Sequence, residues 1–304
     1  MESDRFDRRD VLQKLGAFAV LAPFTKLLGC GGTSSSAGTA DGGATTITDD
    51  AGATISDDAG ATTVTAGDAG AATDGATVAA DGGTWATGGT AAMTGKAGYP
   101  NPFASGAPTT CAATGALTEG PCYDSAAAAI QDISYGQNGL PTRIYFQVLD
   151  SSCKPISGAT VSVWHVAPTG KYSGDDSANE NVGFCTGNDT DYTSHTYFRG
   201  VQTTDATGVV YFDTCFPGWY SSRTVHVHFT ITVGSKSFTS QYVFEDSLDD
   251  EIIASQPIYK DRGSRDTTNT TDSVVSASTY KNFLFQTERM SDGALLAWQS
   301  ITLS

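Results

Sequence analysis

From residue 224 the chain alternates. Val225, Val227, Phe229, Ile231 and Val233 fall on one side, and His226, His228, Thr230 and Thr232 on the other. A period of two over this length predicts a strand with one face on a core, because side chains at i and i+2 project from the same face. Shorter runs of the same kind predict strands over 143–149, 159–166, 209–212 and 237–244. Turn chemistry separates them, in Pro155-Ile156-Ser157-Gly158, Asp205-Ala206-Thr207-Gly208 and Gly234-Ser235. Short strands divided by such turns predict an all-β fold, an antiparallel β-sandwich with long loops and little helix. The helix candidate is 125–131, and the polar stretch 247–280 reads as a long surface excursion. Residues 105–304 are enough for one sizeable core.

Upstream the pattern is lost. Residues 31–104 are nearly free of Leu, Phe and Tyr, and Asp49-Asp50-Ala51-Gly52-Ala53-Thr54 recurs as Asp57-Asp58-Ala59-Gly60-Ala61-Thr62. So little apolar surface does not offset chain entropy, and the tract is predicted to be a solvated, disordered linker. Its Asp repeats lack the Gly-Gly-x-Gly-x-Asp rhythm of a calcium β-roll. Residues 1–30 hold Arg8-Arg9, an apolar run from Leu15 to Phe24, and Leu27-Leu28-Gly29-Cys30. This order predicts an export signal. The paired arginines resemble a twin-arginine signal, with Val11 where that pattern often has Phe, and the last four residues resemble a lipobox. The expectation is a bacterial lipoprotein, exported to the cell surface or periplasmic side and attached to the membrane through lipidated Cys30. A general secretory route stays open beside the twin-arginine one. Pro23 and Lys26 interrupt the apolar run, which is short for a transmembrane span.

A net charge of −16 makes nucleic acid a poor partner, because phosphate repels such a chain. The cysteines, at 30, 111, 122, 153, 185 and 215, include no Cys-x-x-Cys pair, which weakens zinc-ribbon and thioredoxin readings.

The candidate chemistry sits on the alternating strand. His226 and His228 share its polar face, and two imidazoles so placed can chelate a metal. Tyr220 lies just upstream, after the Pro217-Gly218 turn, and Tyr172 follows Trp164-His165-Val166. Thr118-Glu119-Gly120-Pro121, Cys153-Lys154-Pro155-Ile156-Ser157-Gly158-Ala159, Gly170-Lys171-Tyr172-Ser173-Gly174, Phe198-Arg199-Gly200-Val201-Gln202-Thr203-Thr204-Asp205, Pro217-Gly218-Trp219-Tyr220 and Arg223-Thr224-Val225-His226-Val227-His228 occur in that order. In this order they resemble the intradiol ring-cleavage dioxygenases, above all their secreted, single-domain, protocatechuate 3,4-dioxygenase-like branch. The resemblance covers nearly all of 117–246.

That resemblance implies one mononuclear non-haem Fe(III) held by Tyr172, Tyr220, His226 and His228, with Tyr220 and His228 axial and Tyr172 and His226 equatorial. It implies that Tyr220 leaves the metal when a catechol binds and takes up a substrate proton. Arg223 and Gln241 would stabilise negative charge on the substrate, and Gly120 and Pro121 would line the pocket mouth. The implied reaction is intradiol cleavage of a small aromatic diol by O2 to a muconate-type diacid. The residue types suit this chemistry, since phenolate is a hard donor and a bound metal lowers the phenol pKa from about 10. His165, on a strand, and His195, in a loop, are not expected to be ligands, and Asp205 and Gly208 are read as a turn.

Val166 stands where the secreted branch often has Cys. Cys122 and Cys215 flank matching motifs, which raises a Cys122–Cys215 bridge and leaves Cys111, Cys153 and Cys185 with one over. Residues 148–163 also resemble prealbumin-like sandwich modules, so a surface-tethered binding or structural module is the rival reading, and a dioxygenase without turnover a third. The discriminator is the constellation of two tyrosines with His-x-His. The residues that sort catechol, protocatechuate and hydroxyquinol lie on variable loops, and oligomeric state is open.

Overall fold

A computed structural model describes residues 83–125, 127–174 and 181–304. The expected export signal, Cys30 and the Asp repeats lie outside the described residues. Two four-stranded sheets face each other. In the first, the order is β4 (Val209–Cys215), β1 (Pro141–Leu149), β8 (Leu295–Thr302) and β7 (Gln286–Arg289). In the second it is β3 (Arg199–Thr203), β2 (Thr160–Trp164), β5 (His226–Val233) and β6 (Lys236–Val243). The second sheet is antiparallel throughout, whereas β1 and β8 of the first run parallel, Thr142 opposite Leu295. The inner faces supply Ile144, Phe146 and Val148 from β1, Val161 and Val163 from β2, and Val227, Phe229 and Ile231 from β5. Phe146 and Tyr242 both pack on the Phe229 ring, so the alternating strand does bury its apolar side.

The sandwich and its five expected strands are present, shifted by a few residues at their ends. Three expectations fail. Residues 125–131 show no helical backbone at the positions described. The Ala128 and Gln131 carbonyls instead accept from Val201 and Asp213, so the segment is tied to the edges of both sheets. Residues 247–280 are more than a surface excursion. They hold α3 (Asp246–Ser255), after the short α1 (Val182–Thr186) and α2 (Thr190–Thr193), and then α4 (Pro257–Lys260) and α5 (Ser276–Thr279). From this stretch Leu248, Ile252, Ile253, Tyr259 and Val275 enter the main core. The boundary at 104/105 also moves, because the chain already packs near Trp85. Met93 is buried against Tyr145, Leu296 and Met290, with Tyr99 and Phe103 beside them.

This N-terminal cover explains why every residue of β1 is buried. The outward-facing Arg143 and Gln147 of β1 are buried even though they are polar. Arg143 donates to both carboxylate oxygens of Asp213 at 2.6 and 3.0 Å, and to the Lys96 carbonyl at 3.0 Å. Its guanidinium lies over Tyr211, 4.3 Å from the ring centre. Burial alone would lower this guanidinium, but Asp213 more than offsets that and raises it.

The disulfides are Cys111–Cys153 and Cys122–Cys185, not Cys122–Cys215. Cys215 ends β4 as a buried thiol near the Gln137 carbonyl, packed with Ala167, Tyr197 and Phe198. Cys122 belongs to a different cluster, with Trp164, Val166 and Tyr172. Flanking two motifs of one site therefore did not make the two cysteines neighbours.

Candidate metal centre

The polar face of β5 points away from the core, yet His226 and His228 are only 2% exposed. Three turns cover them. One carries Gly120, one Tyr172 and one Tyr220. The Tyr172 turn needs Gly170 in a left-handed conformation, φ +78°, where a side chain would strike the Trp219 carbonyl of the Tyr220 turn. The two tyrosine turns thus interlock through their backbones. Tyr172 is also tied by its N–H to the Cys185 carbonyl at 2.8 Å, directly beside the Cys122–Cys185 bridge. Gly120, φ +75°, stands close to His228, and a Cβ there would come 3.3 Å from His228 Cε1. The His228 ring stacks on Trp164 at 4.9 Å.

Four donor atoms converge. His226 Nε2 stands 3.1 Å from His228 Nε2, 3.4 Å from Tyr172 Oη and 3.3 Å from Tyr220 Oη, and His228 Nε2 is 3.1 Å from Tyr172 Oη. The His226 tautomer is set by its other nitrogen, since Nδ1 can only donate to the Thr224 carbonyl at 2.6 Å. Its Nε2 therefore presents a lone pair to the cluster. Burial, and then the charge of Arg223, lowers the His226 pKa to about 3. Burial and the neighbouring His226 push His228 well below its usual value. Both imidazoles are therefore neutral near pH 7, the form that binds metals. Burial pushes Tyr172 well above 10, helped by Tyr220, and raises Tyr220 against the pull of Arg223.

Arg223 and Gln241 stand together beside the histidines, Gln241 fully buried. Arg223 Nη2 donates to Gln241 Oε1 at 2.5 Å, and Gln241 Nε2 donates to the Thr118 carbonyl at 2.6 Å. Gln241 lies opposite His228 in the β5–β6 register. Pro121 is exposed, one residue after Gly120. His165 and His195 stay apart from the cluster. His165 spends both nitrogens on the Val166 carbonyl and Thr214, and His195 is an exposed residue bonded to the Asp191 carbonyl.

Sequence reasoning gave no role to Arg199 or Asp272. Arg199 lies fully buried under the site, its Nε donating to the Ser173 carbonyl and its charge 5.6 Å from the Tyr172 ring centre. It stands inside a matched block, Phe198-Arg199-Gly200, so the signal was a charged residue in the middle of an apolar strand start. Asp272 comes from the stretch read as a surface excursion, and nothing local marks it.

Two phenols from the covering turns meet two imidazoles on one buried sheet face, a donor set whose chemistry suits a metal ion. Comparison with known proteins narrows that class. The family model described as Dioxygenase matches residues 118–287, over half the chain. The chain belongs to the intradiol ring-cleavage dioxygenase family and is an oxygenase. Among solved structures, an intradiol ring-cleavage dioxygenase from Tetranychus urticae is similar with a TM-score of 0.55 at 24% identity, covering 63% of this chain and 94% of that one. Catechol 1,2-dioxygenase from Pseudomonas arvilla C-1 gives 0.40 at 22% identity, over 62% of this chain and 61% of that one. No curated protein matches.

Members of this family are generally non-haem iron enzymes acting on aromatic diols with O2. The donor set fits such an ion. Donors about 2 Å from one shared cation lie roughly as far from each other as these four do. The Nε2 lone pair of His226 and the two phenol oxygens beside it meet at one point, where a shared cation would take them together with His228 Nε2. A bound cation would also reverse the upward push on the phenols and favour phenolate.

Proposed function

We propose that the chain holds one non-haem Fe(III) through Tyr172, Tyr220, His226 and His228, and cleaves a catechol-type diol between its hydroxyls with O2 to a muconate-type diacid. The observation that carries this reading is the convergence of the four donors beside Arg223 and Gln241. The ion would supply Lewis acidity and an electron-accepting centre that makes a chelated diol reactive toward O2. The remaining work falls to the protein. Tyr220, half-buried, would be the phenolate, favoured by the ion, that is placed to accept a substrate proton and become the neutral phenol. Tyr172, buried and pinned to Cys185, is placed as the permanent ligand. Arg223 offers fixed positive charge where the substrate becomes anionic, and Gln241 holds that guanidinium in place. Gly120 leaves room above His228, and Pro121 shapes the mouth.

From Arg8-Arg9 and Leu27-Leu28-Gly29-Cys30 we further propose that the enzyme lies outside the cytoplasm, tethered at a bacterial membrane through Cys30, with the linker as spacer. A purely binding prealbumin-like module leaves the two tyrosines and two histidines unexplained. The test is direct. Purified protein is expected to contain about one iron per chain, by the donor set above. It is also expected to be coloured red-brown by phenolate-to-iron charge transfer and to take up O2 with at least one of catechol, protocatechuate or hydroxyquinol. A colourless protein that rejects iron and consumes no O2 would overturn the proposal.

A further inference from the structure

Asp272 lies behind Arg223, contributed by the segment after α4. Its side chain is fully buried and each oxygen takes two donors. Oδ2 accepts from Arg223 Nε at 2.9 Å and from the Thr224 N–H at 2.8 Å, and Oδ1 from the N–H groups of Val274 and Val275 at 2.7 and 3.0 Å. Three of these four donors are backbone, so the carboxylate cannot swing. From it a relay runs to the metal side. Arg223 Nη2 meets Gln241 Oε1, Gln241 Nε2 meets the Thr118 carbonyl, and Thr118 Oγ1 accepts from the Gly120 N–H at 3.1 Å. Gly120 then stands so close to His228 that a Cβ on it would come 3.3 Å from Cε1. Each link fixes the next, because a flipped Gln241 amide would set its NH2 against the Arg223 donors.

We infer that Asp272 is a positioning residue: its carboxylate holds the plane of the Arg223 guanidinium and, through it, the Gln241 amide and the rim over His228. What Arg223 then does to substrate rests on the dioxygenase reading. The clamp itself rests on the bonds above. A second reason for an acid here is electrostatic. An uncompensated guanidinium beside His226 would oppose a bound metal cation. Asp272 neutralises that charge from the far side and leaves the Arg223 Nη side turned toward the site.

A loop tie alone would give a different outcome, and Asn269 provides the control. It anchors the same segment through Thr224 Oγ1 at 2.8 Å and the Phe244 carbonyl at 2.7 Å without touching Arg223. The experiment compares the full chain with Asp272→Asn, Asp272→Glu, Asn269→Ala, Arg223→Gln and the double variant D272N/R223Q. Iron content, melting temperature, kcat and KM are measured, together with solvent exchange of the Arg223 Nε–H by NMR on metal-free protein. Asp272→Asn is expected to keep iron but lose about 10²-fold in kcat/KM, the scale of a small misplacement in a site. Asp272→Glu should recover part of the loss, and the Asn change should add nothing in the Arg223→Gln background. Asn269→Ala should lower the melting temperature with kcat/KM kept. Activity of Asp272→Asn equal to wild type, or parallel losses in both loop variants, would overturn the inference. Should Asp272→Asn not fold, full wild-type kinetics in Asp272→Glu would do the same. Should the wild type hold no iron, the dioxygenase reading fails, and the NMR arm decides alone. Slow exchange in wild type and Asn269→Ala, lost in Asp272→Asn, upholds the clamp, and slow exchange kept in Asp272→Asn removes it.

Discussion

Both sheets bury polar side chains on the face turned away from the core. On the first sheet Arg143 is closed off by Asp213, the Lys96 carbonyl and two tyrosine rings. On the second, the nitrogens of His226 and His228 point at each other and at two phenols. Around Arg143 the first face is finished by its own chain. The second gathers acceptors and weakly paired groups that a cation would complete. Burial of polar groups therefore does not mark a site by itself. What marks it is whether the partners present can satisfy them.

The sharpest test sets the two faces against each other. His226→Ala is expected to abolish iron retention and oxygen uptake while changing the melting temperature little. Arg143→Ala should do the reverse. Breaking a buried ion pair costs about 3–5 kcal/mol, so its denaturation midpoint should fall, while the folded fraction keeps its iron. Metal analysis and urea titration of both variants decide this. Iron loss in Arg143→Ala without destabilisation would collapse the distinction.

The cover over the first face gives the next effect. A chain starting at 83 should match the full chain in stability. One starting at 105 loses Trp85, Met93, Tyr99 and Phe103 and uncovers Tyr145 and Leu296. Each large apolar side chain that loses its burial costs about 1.5–3 kcal/mol, so the shorter chain should be clearly less stable or insoluble. Equal midpoints for the two truncations would show that the cover contributes nothing.

These two regions were unequally legible in the sequence. The histidine strand could be read because one face alternates with a buried one, and the tyrosines because they stand in ordered motifs with turn residues around them. The N-terminal cover was hidden in composition, since Met93 and Tyr99 are isolated apolar residues at the end of a tract read as linker. Strand β8 was missed although it lies between β1 and β7. Leu295, Leu296 and Ala297 are all buried, so the stretch does not alternate cleanly. In α3 the acids at 246, 249, 250 and 251 obscure the Leu248–Ile252 spacing that seats the helix. Asp272 was invisible because its role depends on Arg223, far away in sequence. The disulfide partners likewise depend on which turns meet, and spacing does not encode that.

The two bridges extend the comparison to the covalent level. Cys111–Cys153 closes 42 residues near the Asp150 turn, and Cys122–Cys185 closes 63 beside Tyr172. Replacing either pair by serine should cost about 2–4 kcal/mol. Only the Cys122/Cys185 variant should also hold iron more weakly, because it frees the backbone that pins Tyr172. Chelator competition separates them, and equal iron affinity in both variants would mean that the bridge does not support the ligand.

Acid should act through the buried histidines and leave the Arg143 cluster aside. His226 is held at about 3 and His165 at about 4, and His228 well below its usual value, in each case chiefly by burial. An unfolded chain would protonate all three near 6.5. Between those values the unfolded state binds more protons than the folded one, so stability rises with pH across this window and is lost as pH falls below about 6.5. Each such histidine contributes a slope of up to about 1.4 kcal/mol per pH unit, until the pH reaches its folded-state value. Arg143 adds nothing here, since its guanidinium stays charged throughout. The metal-free protein should therefore lose stability steadily from pH 6.5 to 4. His165→Gln, which keeps a polar partner for Thr214, should flatten the curve by roughly one histidine's share. Urea midpoints across that range make the measurement. A flat profile in the unmodified protein would mean that the imidazoles are not held neutral, and the case for a metal-ready face would lose its electrostatic support.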